Sequence, residues 1–281
     1  MKRVALINDL SGLGGCSLTA ALPVLSVMGV RACPMPTAVL SNQTAYDSFQ
    51  MVDMTDHFMA FTEEWKKRAG YFDAIATGFL GSPRQADMVH QFIDHFGQPG
   101  TLVLVDPVMG DDGKTYPTAT PAYREKIRAL VARADMITPN LTEACLLTDT
   151  PYTGLSSSHK LEEAEAMAKK MLAMGPQIVV VTGIRIGERV YNLACRENEK
   201  VVSSTPMLGN GYSGAGDLMT AVLLGGILQG RGLKATLDLA SSFIAESVAL
   251  AYRSGTDPND GVNFECKLPM LLAGQDGRSA C

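Results

Sequence analysis

One stretch of seven residues, Gly211-Tyr-Ser-Gly-Ala-Gly-Asp217, combines residue types that can hold an anion and move a proton. Small residues let backbone N–H groups approach an anion closely. The residues that follow, 218–228, are apolar nearly all round, which predicts a buried helix. The N-terminus of such a helix points partial positive charge at a phosphate. Asp217 stands where the glycine nest meets the helix. The helix dipole is expected to hold the pKa of a carboxylate there low. The same letters also fit a glycine turn followed by an aspartate-capped helix. They are not a Walker A loop, which needs Gly-Lys-Ser/Thr.

Two further segments carry hard oxygen ligands. Asp106-Pro-Val-Met-Gly-Asp111 follows a buried apolar run, so it reads either as a strand-ending turn or as a site. Thr138-Pro-Asn-Leu-Thr-Glu143 puts Asn140 at a helix start with Glu143 three residues on, the spacing of a capping box. Asn and Glu there can equally hold the waters of Mg²⁺, which keeps much of its hydration shell. The histidines at 57, 90, 95 and 159 form no His-x-x-x-His pair. The cysteines at 16, 33, 145, 195, 266 and 281 form no Cys-x-x-Cys, which suits a reduced pool of small buried hydrophobes better than zinc or disulfides.

These segments need a scaffold, and the apolar pattern supplies one. Strands are expected at residues 4–7, 31–40, 74–77, 101–105, 136–138 and 178–181, the last pure enough to be central. Helices are expected at 17–28, 56–69 (Thr55 as cap), 121–134, 141–147, 159–174, 214–228 and 233–253. A further helix start is marked by Ser82 followed by Pro83, a hydroxyl cap before proline at the first helical position. Strands separated by helices imply right-handed crossovers and a mostly parallel sheet. Residues 188–195 and 200–204 read as an antiparallel hairpin at its edge. The whole of 1–281 reads as one domain, with a frayed tail after Lys267. Ligands of such sheets bind beyond the carboxyl ends of the strands. There the polar segments 8–15, 41–44, 106–111, 138–143 and 182–183 fall, and 210–217 opens a helix.

Composition narrows the class. The chain has 281 residues, 46% of them hydrophobic, and a net charge of −5 with no basic run, which argues against a nucleic-acid partner. No apolar stretch reaches the roughly 18–20 residues of a membrane-spanning helix. The chain opens almost directly on a strand, with no signal segment, so a cytoplasmic location is expected.

Taken in order, these segments resemble the pyridoxal kinase family of the ribokinase-like superfamily, over about residues 3–255. Asn8-Asp-Leu-Ser-Gly-Leu-Gly-Gly15 is similar to the family's first-strand loop, and Val39-Leu-Ser-Asn-Gln-Thr44 to its Ser-Asn-His-Thr motif. Thr77-Gly-Phe-Leu-Gly81 resembles its Gly-Tyr-x-Gly segment. Asp106-Pro-Val-Met-Gly110, Thr138-Pro-Asn-Leu-Thr-Glu143 and Gly214-Ala-Gly-Asp217 match further family patterns.

The resemblance implies a three-layer α/β/α sandwich that phosphorylates the hydroxymethyl group of a vitamin B6 vitamer with ATP. It implies Asp217 as catalytic base, with Gly214, Ala215 and Gly216 as the anion hole. Ser11, Thr44 and Phe79 would face the substrate ring. Asp106, Asn140 and Glu143 would serve Mg-ATP, with Thr138, Thr182, Asn210 and Ser213 on the nucleotide side. Mg²⁺, often K⁺, and a homodimer are also implied. Phe79 stands where many members carry tyrosine, and Gln43 replaces a frequent histidine. The cysteine some relatives place in the anion hole is absent from the stretch 212–216. The nearest alternative is a hydroxymethylpyrimidine (phosphate) kinase of the same fold, against which Ser41-Asn-Gln-Thr44 favours vitamin B6. A non-catalytic ligand-binding protein on the same scaffold is the other.

Overall fold

Residues 1–152, 155, 159–209 and 211–272 are described by the computed structural model. Alternation along the strands sets the layers, because successive side chains of a strand point to opposite faces. In the first strand, β1 (Arg3–Leu13), Ala5 and Ile7 enter one buried cluster while Val4 and Leu6 enter another. The same split recurs in β9 (Ile178–Ile186), with Val179 and Val181 against Ile178 and Val180. A sheet buried on both faces follows, with helices on each side.

One nine-stranded sheet runs in the order β11-β10-β9-β8-β5-β4-β1-β2-β3. Its other strands are β2 (Arg31–Asn42), β3 (Met51–Asp53), β4 (Ala74–Thr77), β5 (Leu102–Val105), β8 (Met136–Ile137), β10 (Arg189–Arg196) and β11 (Glu199–Pro206). The six strands from β9 to β2 in that order are mutually parallel. Strand β3 is antiparallel at one edge, and β10 and β11 extend the other as the expected hairpin. A separate two-stranded hairpin joins β6 (Gly110–Asp111) and β7 (Lys114–Thr115).

On one face lie α2 (Thr55–Lys66), α3 (Pro83–Phe96), α4 (Pro121–Val131), α5 (Leu141–Thr148) and α6 (Lys160–Leu172), contributing Phe58, Phe92, Tyr123, Ala144 and Met167 to one cluster. On the other lie α1 (Ser17–Val27), α7 (Ala215–Leu228) and α8 (Leu233–Arg253), contributing Leu18, Leu223 and Phe243. This is the expected three-layer α/β/α sandwich. Ser82 Oγ and Thr120 Oγ1 accept from Gln85 N and Tyr123 N, and Pro83 and Pro121 open the helices they cap.

Several expectations need correction. Strand β1 does not stop at residue 7, because β2 continues beside it and pairs Leu13 with Asn42 across a bulge after Asn8. Strand β9 is interior but third of nine, so purity of sequence reports burial on both faces rather than a central place. Thr55 is not the cap of α2. Met54 holds that place, and Asp53 Oδ1 takes the Thr55 N–H at 2.8 Å. Residues after Lys267 continue a 3-10 helix (Glu265–Leu272) that buries Leu271, so the tail is ordered to Leu272. Residues 273–281 lie outside the described residues. Cys16, Cys145 and Cys195 are buried free thiols as expected, whereas Cys266 is exposed.

Candidate active site

The chain leaves β1 for β2 in one direction along the sheet and returns through β4, β5, β8 and β9 in the other. That reversal opens a crevice between β1 and β4 at their carboxyl ends, the place where such sheets bind ligands. A cleft of about 740 Å³ occupies it. Strand order fixes what faces it: Asn8 and Phe79 at the β1/β4 end, then Asp106, then Thr138 and Asn140, then Thr182 and Gly183. Thr44 flanks the Asn8 end, and α7 brings Gly214, Ala215, Gly216 and Asp217 from beneath.

The nest at α7 depends on backbone shape. Gly214 has φ +80°, and a Cβ there would stand 2.2 Å from the Gly15 carbonyl oxygen. Glycine is therefore required twice, by conformation and by the close approach of the 14–16 loop. No side chain caps α7, so its first N–H groups are left for an anion.

Asp217 receives three kinds of donor. Asn8 Nδ2 donates to its Oδ1 at 3.1 Å, and the backbone N–H groups of Ser17 and of Asp217 itself also serve it. The Asn8 amide oxygen accepts from Asp9 N at 3.0 Å and Phe79 N at 2.8 Å, so one side chain joins the carboxylate to the aromatic wall. Gly78 is part of this junction, since a Cβ there would lie 2.5 Å from the Asn8 amide. Asn8 is the functional residue the sequence reading missed individually. Its partner is 209 positions away, so no local signal marks the pair.

The pKa of Asp217 is raised to about 6, chiefly by burial and further by the charge of Asp9. This overturns the low value expected from the helix dipole: loss of water around the carboxylate outweighs the donors at the helix start. Burial also raises Asp106 and Glu143 well above the usual carboxylate range, with Asp217 adding to the first and Asp106 to the second. A line of three carboxylates thus faces one cleft.

Asn140 and Glu143 form the capping box. Asn140 Oδ1 accepts from Glu143 N at 3.0 Å, and Glu143 Oε2 accepts from Asn140 N at 2.8 Å. Glu143 Oε1 also accepts from Met109 N at 3.1 Å, and Asn140 Nδ2 donates to Gly110 O at 2.7 Å. The box therefore fastens the 106–115 segment to α5. Asp106 accepts from Thr220 Oγ1 at 3.4 Å, and Thr220 in turn bonds Thr138 at 3.1 Å.

No group of three or more His, Cys, Asp or Glu is arranged to hold a metal directly among the described residues. The donor set nevertheless fits Mg²⁺ held partly through water. Its oxygens are hard, and its carboxylates are destabilised as anions by burial and by one another, which a bound cation would relieve. Asp106 is the candidate for direct contact, because the oxygens of Asn140 and Glu143 already serve backbone N–H groups.

The remaining expectations divide. Thr44, Phe79, Thr138, Thr182 and Ser213 all line the cleft. Ser11 does not: it is 1% exposed, and its hydroxyl donates to Asp9 Oδ2 at 2.8 Å. Strand β1 runs on past residue 8, and its continuation turns the Ser11 hydroxyl toward Asp9. Asn210 lies outside the described residues. Gln43 faces the cleft, but its amide is engaged, donating to the Asn259 carbonyl at 3.2 Å and accepting from Ala45 N at 2.8 Å.

An uncapped helix start, a buried carboxylate beside it and a cleft across parallel strand ends fit a phosphotransferase of the ribokinase-like class. Comparison with known proteins agrees. A family model described as phosphomethylpyrimidine kinase matches residues 11–262. Pyridoxal kinase of Arabidopsis thaliana is 30% identical over 244 residues, covering 79% of this chain and 73% of its own. Pyridoxal kinase PdxY of Rubrobacter xylanophilus is 28% identical over 249 residues, with 84% and 83% covered. A candidate phosphomethylpyrimidine kinase of Bacteroides thetaiotaomicron, solved with pyridoxal, superposes with a TM-score of 0.90 at 38% identity, covering 96% of this chain and 95% of its own. The chain belongs to the pyridoxal kinase family of the ribokinase-like superfamily.

Proposed function

We propose that the chain transfers the γ-phosphate of ATP to the 5′-hydroxymethyl group of a vitamin B6 vitamer. The observation that carries this reading is the Phe79–Asn8–Asp217 junction. In it an aromatic side chain, Phe79, and a carboxylate whose pKa is about 6 line the same end of one cleft, which supports reading Asp217 as the base. A heteroaromatic ring packs on such a side chain. Its hydroxymethyl group would then reach Asp217, with Thr44 at the ring's edge.

Phosphoryl transfer passes through a loose transition state, so positioning and charge neutralisation dominate. Asp217 takes the hydroxyl proton as the bond to phosphorus forms. The N–H groups of residues 214–216 hold the moving phosphoryl group. Asp106, with Asn140 and Glu143 through water, would hold Mg²⁺, which when bound supplies positive charge to the triphosphate. Thr138, Thr182 and Ser213 line the nucleotide side in this reading. We extend it to a cytoplasmic homodimer that uses Mg²⁺ and accepts K⁺, and the unpaired thiols among the described residues suit a reducing compartment.

A second reading, hydroxymethylpyrimidine (phosphate) kinase, is favoured by the description of the matching family model. Purified protein with Mg-ATP and either pyridoxal, pyridoxine, pyridoxamine or hydroxymethylpyrimidine, read by ADP release, separates the two. Turnover of at least one vitamer is expected. Turnover of hydroxymethylpyrimidine alone would transfer the assignment, and no turnover of any acceptor would favour a non-catalytic binding protein. EDTA should abolish the activity and added Mg²⁺ restore it.

A further inference from the structure

Five carboxylates face the cleft (Asp106, Asp111, Asp112, Glu143 and Asp217) but only two cationic side chains, Lys160 and Arg185, among its described lining. A triphosphate adds more negative charge to a cleft already rich in it. The start of α7 and a divalent cation offset part of that charge. The position of Arg185 suggests a further source.

Arg185 lies near the end of β9, three residues beyond Thr182. Two distances place its guanidinium. Nη1 is 3.3 Å from Asp112 Oδ2, in the turn of the β6–β7 hairpin. Nη2 is 2.8 Å from where a Cβ on Gly211 would stand, at the start of the anion nest. The head group therefore sits between an acidic turn and the phosphate-binding loop. Lys160 Nζ donates to the Arg185 carbonyl at 3.2 Å and steadies the backbone beneath it.

The Arg185–Asp112 pair is suited to exchange. Its side chains are 38% and 61% exposed, and its one contact is longer than the ~2.7–2.9 Å of a strong charge-assisted bond. Exposed pairs of this kind contribute little to stability. The contact engages one of the five N–H donors of a guanidinium, whose planar fork matches phosphate oxygens in pairs.

We propose that Arg185 binds the terminal phosphates of the nucleotide and that Asp112 holds it in reserve, releasing it when nucleotide enters. The proposal rests on the kinase reading above. It assigns opposite signs to the two halves of one ion pair. Arg185 assists nucleotide binding, whereas Asp112 competes with the nucleotide for the same guanidinium. A purely structural latch between β9 and the hairpin would give both residues the same sign.

The test is the KM for ATP and the Kd for ADP, the latter by titration calorimetry on the full chain with Mg²⁺, for wild type, Arg185→Gln, Arg185→Lys and Asp112→Asn. Arg185→Gln should weaken both constants by about ten- to a hundredfold, the scale of a charged hydrogen bond. Arg185→Lys should restore part of the loss. Asp112→Asn should tighten both by roughly two- to fivefold, the scale of an exposed ion pair. The KM for the acceptor alcohol should move little in each. Unchanged nucleotide constants in Arg185→Gln, or weaker binding in both Arg185→Gln and Asp112→Asn, would overturn the proposal. ADP binding needs no turnover, so it judges Arg185 even if no vitamer proves to be an acceptor.

Discussion

Glu143 and Asp217 both lie in the first turn of a helix, both face the same cleft, and both have raised pKa values. Their surroundings differ in range. Glu143 is served by Asn140, three residues earlier, and by Met109, which the same box pulls against α5. Asp217 is served by Asn8 on β1 and by Ser17 at the start of α1, both far away in sequence. The local box fixes a helix start and holds a loop in place. The long-range set leaves a carboxylate facing the cleft, ionised near neutral pH and poorly stabilised as an anion. A general base needs that state, since its pKa should lie near the operating pH.

The contrast is open to attack from the structural side first. Glu143→Ala removes the acceptor of two backbone N–H groups, those of Asn140 and Met109. Each orphaned buried donor costs about 1–3 kcal/mol, so a loss of roughly 2–6 kcal/mol in urea unfolding is expected. A variant as stable as wild type would show that the box is dispensable.

The second attack is on the poise of Asp217. Because its pKa in the free enzyme is about 6, kcat/KM should fall as pH drops through that value and level off above it. Asn8→Ala removes a donor to the ionised form, which favours the protonated one. The acidic limb of the pH–rate profile should move up by about one unit. A limb that stays in place would separate Asn8 from the base.

The smallest effect is on stability and has an unusual sign. Folding raises the Asp217 pKa from 3.8 to about 6. The folded state therefore holds a proton that the unfolded state has released. This contribution is fully present below pH 3.8 and is lost as pH rises through about 6, leaving a buried charge that opposes folding. Asp217→Asn should stabilise the protein at pH 8 by roughly 1–2 kcal/mol, discounted for contact with cleft water. The gain should fall to roughly half at pH 5 and vanish only below about pH 3.8. Melting temperatures at the two pH values measure this difference, and equal shifts at both would contradict the buried-charge account.

The same contrast explains what could be read from sequence. The capping box of Asn140 and Glu143, the Ser82-Pro83 start of α3, strand β4 and the whole of α8 carry their signals within a few positions, and all are legible. The nest at Gly214 is legible for the same reason. The course of β1 beyond residue 7 depends on a register with β2, and it carries Ser11 away from the cleft. The short edge strand β3 has all three residues exposed and so lacks an alternating apolar pattern. The low pKa expected for Asp217 follows from the dipole of its own helix, a local property, whereas the burial that raises it depends on residues far away in sequence. Arg185 was not singled out, because an arginine near a strand end carries no signal until Asp112 and Gly211 are seen beside it.

The central claim is that Asp217 is the base that deprotonates the acceptor hydroxyl. Its most direct test is kcat for Asp217→Asn and wild type, with saturating Mg-ATP and the best acceptor vitamer, on preparations whose folding is confirmed by melting temperature. Asparagine keeps the size and the bond from Asn8 and is itself a good residue for a helix start. The account predicts a fall of roughly 10²–10⁴-fold in kcat with the KM for ATP little changed. A folded variant that keeps more than about half of the wild-type kcat would remove Asp217 from the chemistry and leave it as a helix-start residue.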